Sequence, residues 1–350
     1  MDESIEVICE RQGEAGLITL NRPKALNALT LTMVREMRRA LDAWAVDPAV
    51  TRIVVQGAGE KAFCAGGDIR RLTDLLKAGE KDEALAFWRE EYQLNALIKR
   101  YPKPYVSLID GIVMGGGVGV SLHGSYRVAG ERYLFAMPEV SIGFFPDVGA
   151  TYALPRLPGR MGMYLALTGE RVKRADALML GLATHAMASE GVEALRQALI
   201  AGEPVEQALS RAAVDPGPAP LAGERALIDA CFSAESAAAV LQRLDEAAAK
   251  GSEFAARTAA GMRTKSPTSL CIAFEQVRRG ASLSFEEAMK TEFRIVSRIG
   301  EGGDFFEGVR AVLIDKDGQP RWSPFSLEAV DRARIEHHFA GLGDQELEIA

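Results

Sequence analysis

Histidine and cysteine are scarce in this chain, with four of each among 350 residues. The cysteines, Cys9, Cys64, Cys231 and Cys271, lie far apart and form no CxxC pair, which argues against structural disulfides and a thiolate metal site. Of the histidines, only His337 and His338 are neighbours, and adjacent residues on a helix point to different sides. No metal site is expected. Long apolar runs are also missing. Nothing approaches the roughly 20 residues that span a bilayer, so no membrane partner is expected. Blocks of Lys or Arg are absent and the net charge is −7, which speaks against a nucleic-acid partner. The start, Met1-Asp2-Glu3-Ser4, lacks the basic-then-apolar pattern of a signal peptide and the Arg-rich pattern of a transit peptide, so a cytoplasmic location is expected.

What is present is ordinary globular material, 48% apolar and 25% charged, enough for one large domain with an appendage or for two domains. From Ile5 to about Ala188, short β-branched runs alternate with helical patterns. Ile5–Cys9 and Leu17–Leu20 read as paired strands, and Arg52–Gln56, Tyr105–Ile109 and Tyr126–Ala129 as further strands. Amphipathic helices are expected from Thr30 to about Ala45 and from Glu83 to about Ile98. This alternation indicates an α/β fold. Later the chain turns Ala-rich and helical, broken at Asp215-Pro216-Gly217-Pro218-Ala219-Pro220. Ser266-Pro267 has the chemistry of a helix start. Two regions are expected: a catalytic core over 1–200 and a helical region over 201–350.

Three glycine-bearing segments stand out in the first region. Ala62-Phe63-Cys64-Ala65-Gly66-Gly67-Asp68-Ile69 suggests a tight turn with outward-facing N–H groups, Asp68 favouring a helix N-terminus; a plain turn would look the same. Asp110–Gly119 holds five glycines, at 111, 115, 116, 117 and 119, and places a glycine run at a helix start. There a substrate oxygen could accept backbone N–H bonds, although glycine also permits tight helix packing. The run fits neither GxGxxG nor GK[ST], so nucleotide-phosphate binding is excluded. The third segment, Met137–Ala150, sets Glu139 and Asp147 eight residues apart in a loop of Gly, Pro and Phe. Desolvated there, a carboxyl would have a raised pKa suited to acid/base work. The competing readings are a surface charge for Glu139 and a helix N-cap for Asp147.

In order and spacing, an AGGD turn, a GGG helix start and a PE segment followed by Pro146-Asp147-Val148-Gly149 resemble the crotonase (enoyl-CoA hydratase/isomerase) superfamily. Asn21-Arg22-Pro23-Lys24-Ala25-Leu26-Asn27-Ala28-Leu29 adds the family's NRP…NAL element. The resemblance implies a spiral of ββα turns with an α-helical C-terminal region, and an acyl-CoA substrate whose thioester oxygen sits between the amides of Gly67 and Gly116. Coenzyme A then belongs to the substrate, and no separate cofactor is implied. Hydratases carry one glutamate where this chain has Gly119 and a second matching Glu139; they have glycine where this chain has Asp147. Together with Glu91-Tyr92, GFFPDVGATY and the Asp304–Ala311 segment, this pattern is similar to the family's 3-hydroxyisobutyryl-CoA hydrolases.

The resemblance implies hydrolysis of a 3-hydroxyacyl-CoA thioester, as in valine degradation. Gly67 and Gly116 would form the oxyanion hole. Glu139 would act on the carbonyl carbon as nucleophile or base, and Asp147 would assist proton transfer or position the 3-hydroxyl. Glu91 would contact the substrate, and Lys24 and Lys316 are candidates for the CoA phosphates. Three alternatives stand beside it: a hydratase or isomerase on the same fold, a non-catalytic RNA- or acyl-CoA-binding relative, and a serine hydrolase. The last rests on Gly119-Val120-Ser121-Leu122-His123, in which His replaces the final Gly of the nucleophile elbow. The oligomeric state is left open.

Overall fold

The computed structural model describes residues 5–349; Met1 to Ser4, on which the expected location rested, lie outside them. The first expected strand pair forms a hairpin. β1 (Val7–Gln12) and β2 (Ala15–Leu20) run antiparallel with Cys9 opposite Ile18, and Gly13 takes the left-handed conformation in the turn (φ 54). β3 (Arg52–Gly57) then pairs parallel to β2. Its Ile53-Val54-Val55 run is buried, as befits a parallel strand covered on both faces.

From here the chain repeats one pattern. After β3 comes the short β4 (Ala62–Cys64), then the helices Ile69–Lys77 and Lys81–Lys99. β5 (Tyr105–Ile109) is followed by β6 (Ile112–Met114) and the short helix Gly116–Gly119. β7 (Tyr126–Ala129) is followed by β8 (Leu134–Ala136) and the 3-10 turn Glu139–Ile142. β9 (Val172–Lys173) and β10 (His185–Ala186) complete the strands of the described residues. One sheet has the order β1-β2-β3-β5-β7-β10 and the other β4-β6-β8-β9. Each ββα turn thus adds one strand to each sheet, the spiral that the resemblance implied. The first two motif segments contain β4 and β6 and run on past them, and the third follows β8.

Beyond β10 the regular elements of the described residues are helices. Asp215–Pro220 carries no regular structure, and the Asp215 carboxylate accepts the Gly217 N–H at 2.9 Å. Ser266 caps the helix Pro267–Gly280, its hydroxyl accepting the Ser269 N–H at 3.1 Å. No helix among the described residues is long and apolar enough to cross a membrane.

By contacts the chain divides into two compact units, each built from three segments. The first comprises the chain up to Asp68, Glu90–Phe135 and Arg171–Ala219; the second comprises Ile69–Arg89, Ala136–Glu170 and the chain from Pro220 onward. In the first, Leu195, Leu199 and Leu209 of the helices Val192–Ile200 and Val205–Ala212 pack on Leu17, Val54, Val106 and Val128 of the larger sheet. In the second, the Asp304–Val309 helix lies against the Glu139 turn so closely that a side chain at Gly308 would meet the Ile142 backbone at 2.3 Å.

Candidate active site

In the first unit, β4 ends at Cys64 and turns through Gly66, whose φ of 121° suits glycine. Leu29 pins this turn: its N–H donates to the Gly66 carbonyl at 2.8 Å, and the Asp68 N–H donates to the Leu29 carbonyl at 2.9 Å. Successive residues of an extended chain face opposite ways. Both bonds go to the residues flanking Gly67, so its own N–H points away from Leu29. The NRP…NAL element supports this arrangement from behind. The Asn27 amide donates to the Ala58 and Ala62 carbonyls, each at 2.9 Å, and Arg22 donates to the Ala28 carbonyl at 2.7 Å. Asp68 stands directly before the helix Ile69–Lys77, where its charge favours the helix N-terminus, and it also pairs with Arg22 at 3.0 Å.

Beside this turn, Gly116 opens its short helix, a position where an amide has no intrahelical acceptor. A Cβ on Gly116 would lie 3.4 Å from the Gly66 carbonyl carbon, the atom bonded to the Gly67 nitrogen. The two candidate amides are therefore neighbours. The same Cβ would come within 2.6 Å of the Glu91 Oε1, so the buried Glu91 carboxylate joins the group. Gly117 answers the packing alternative: a side chain there would strike the Cys64 carbonyl oxygen at 2.3 Å. The run thus serves both purposes at different positions. Burial pushes the Cys64 thiol up to about 12, so it is inert. The Ser121 hydroxyl, just past this helix, donates to the Gly117 carbonyl at 2.7 Å and is no nucleophile. Lys24 lines a cleft of about 450 Å³ that also holds Lys61, a second cation the sequence reading did not single out. Lys316 lies in an exposed loop of the second unit.

The second unit holds Glu139 and Asp147, both buried. Glu139 sits in the 3-10 turn, and its backbone carbonyl accepts the Phe144 N–H at 3.0 Å. Phe144 stacks on Phe145 and Trp88, with ring centroids 4.7 and 5.9 Å apart, and also meets Phe305 at 5.3 Å. Glu139 Oε2 has no hydrogen-bond partner among the described residues. Burial, then the charges of Asp147 and Glu292, hold its carboxyl well above the usual range. The N-cap reading of Asp147 fails, because the cap of the helix Ala150–Ala153 is Gly149, at φ 91°.

Glu292 was missed in the sequence. It lies fully buried on the helix Phe285–Ile299, and burial followed by the Asp147 charge raises its carboxyl to about 8. Its signal was there: Phe285, Ala288, Met289, Val296 and Ile299 form the apolar stripe, and Glu292 stands in the middle of it. Among the described residues no group of three or more His, Cys, Asp or Glu is arranged to hold a metal ion.

The enoyl-CoA hydratase/isomerase family profile matches residues 15–339. The chain belongs to the enoyl-CoA hydratase/isomerase family. Among curated members of that family, it is 48% identical to the mitochondrial 3-hydroxyisobutyryl-CoA hydrolase of Xenopus tropicalis, over 98% of this chain and 91% of that protein. It is 44% identical to the human protein of the same name, over 99% and 91%. A solved carnitinyl-CoA dehydratase from Mycobacterium thermoresistibile superposes with a TM-score of 0.93 at 43% identity, covering 98% of both chains. A solved enoyl-CoA hydratase from Rhodobacter sphaeroides gives 0.91 at 39%, over 99% and 100%. The names divide: the curated relatives are hydrolases, the solved structures a dehydratase and a hydratase. The expected cytoplasmic location does not stand, since these curated relatives are named mitochondrial. The expectation rested on Met1-Asp2-Glu3-Ser4 alone, and four residues are too few to carry a location.

Proposed function

We propose that this family member hydrolyses the thioester of 3-hydroxyisobutyryl-CoA, giving CoA and the free 3-hydroxy acid, the thioester-cleaving step of valine degradation. The observation that carries this is identity of 43–48% over nearly the whole chain with proteins named for that activity. The Gly67 and Gly116 amides hold the thioester oxygen and stabilise the tetrahedral oxyanion; losing one such donor costs about 10²–10³ in rate. Glu139, once ionised, attacks the carbonyl carbon or takes a proton from water. Asp147 moves protons for the departing thiolate or positions the 3-hydroxyl. Glu91 contacts the acyl end, and Lys24 and Lys61 face the CoA phosphates.

Hydration is the second reading, favoured by the names of the two solved structures. In the family pattern it needs a carboxylate where this chain has Gly119. Thiol release measured over 3-hydroxyisobutyryl-, 3-hydroxypropionyl- and crotonyl-CoA separates the two. Free CoA from the hydroxyacyl thioesters, with crotonyl-CoA absorbance steady, supports hydrolysis. Rapid loss of crotonyl-CoA absorbance without thiol supports hydration. The two hydroxyacyl groups differ by one methyl, worth about 1–3 kcal/mol in a pocket.

A further inference from the structure

The turn that carries Asp147 is conformationally expensive. Val148 has φ 52° and Gly149 φ 91°, two consecutive residues in the left-handed region. For a β-branched side chain that region is a genuine outlier, and it persists only where the surroundings impose it. The imposing groups come from two helices. Glu292 accepts the Gly149 N–H on Oε2 and the Thr151 N–H on Oε1, each at 2.8 Å. From Pro267–Gly280, the Gln276 amide donates to the Pro146 carbonyl and, at 2.7 Å, to the Thr151 hydroxyl. The Asp147 carbonyl itself accepts the Ala150 N–H at 3.0 Å.

Both oxygens of a carboxyl group can accept an N–H, whether or not it holds a proton; glutamine would turn an N–H group against one of the two amides. An acid fully buried in an apolar stripe is costly unless its oxygens are hydrogen-bonded, and here the two backbone amides meet that need. We propose that Glu292 is a positioning residue: its two oxygens clamp the amides of Gly149 and Thr151, and the aim of Asp147 in turnover depends on that clamp. The proposal rests on the hydrolase reading to the extent that Asp147 takes part in the reaction.

The test uses the full-length protein and the variants E292Q, E292D, D147N and D147N/E292Q. E292Q is expected to lower kcat by about 10- to 100-fold, the cost of a misplaced catalytic group, with KM for the acyl-CoA within about threefold. E292D, which keeps both acceptors on a shorter stem, is expected to fall between E292Q and wild type. If Glu292 acts through Asp147, the double variant is no slower than D147N alone. Amide hydrogen exchange over residues 147–151 is expected to rise in E292Q while the rest of the second unit stays protected. A folded E292Q with wild-type kcat overturns the proposal, as do fully multiplicative losses in the double variant. If E292Q does not fold, the E292D rate and exchange decide in the same way. A wild-type protein that releases no thiol sinks the hydrolase reading instead. The exchange and double-variant comparisons then decide the clamp on whichever acyl-CoA reaction the protein does catalyse.

Discussion

Glu292 makes the stability of the second unit depend on pH in a direction opposite to the usual carboxylate. Its carboxyl is raised from 4.5 to about 8, first by burial and then by Asp147, against the lowering effect of the Gly149 and Thr151 amides. A raised folded-state value means that the folded protein binds the proton more tightly than the unfolded one. The stabilisation is fully present below about pH 4.5 and is lost as pH rises through about 8. At about 1.4 kcal/mol per tenfold change in proton affinity, this amounts to at most about 5 kcal/mol. Glutamine at 292 does not titrate and leaves one amide without its acceptor, a pH-independent cost of about 1–3 kcal/mol. Urea unfolding followed by tryptophan fluorescence suits the comparison, since Trp88 and Trp322 lie in the same unit as Glu292. E292Q is expected to be less stable than wild type at pH 5 and to gain on it steadily up to pH 9. Stability curves that stay parallel across that range, within about 0.5 kcal/mol, would refute the reasoning.

E139Q and D147N are each expected to lower kcat by about 10²–10⁴ while CoA binding by calorimetry is kept; normal turnover in D147N would remove Asp147 from the mechanism. Because Glu139 is held well above the usual carboxylate range, kcat/KM for thiol release is expected to climb with pH as its ionised form appears, and a flat profile from pH 6 to 9 would contradict an ionised Glu139 as the acting group. Gly116→Ala meets the movable end of Glu91 at 2.6 Å, whereas Gly117→Ala meets the Cys64 backbone at 2.3 Å. The first should cost activity and the second stability, and the reverse order in Tm and kcat would count against this assignment. Lys24→Ala and Lys61→Ala should raise KM for acyl-CoA in a salt-dependent way with kcat kept; a KM unchanged at low salt would take both lysines off the CoA path.

The amino-acid sequence by itself determined the elements and the motif positions. Tyr105–Ile109 and Tyr126–Ala129 are strands at the bounds their β-branched runs suggest, and Ser266 caps its helix as its neighbour Pro267 predicts. These are local properties, set by side-chain shape, periodicity and capping within a few residues. The adjacency of Gly67 and Gly116 was legible only through the family resemblance and from no local pattern, because it comes from parallel pairing of β4 with β6 across almost 50 residues. Asp147 illustrates the limit within a single turn. Its sequence neighbours allowed a helix cap, and only the tertiary structure gave that place to Gly149. Glu292 marks the limit most sharply. In the sequence it is one acid on an amphipathic helix. Its place in the apolar stripe marks its burial, but its role arises from two amides more than 140 residues away and from a neighbouring charge acting through space, which no local pattern records.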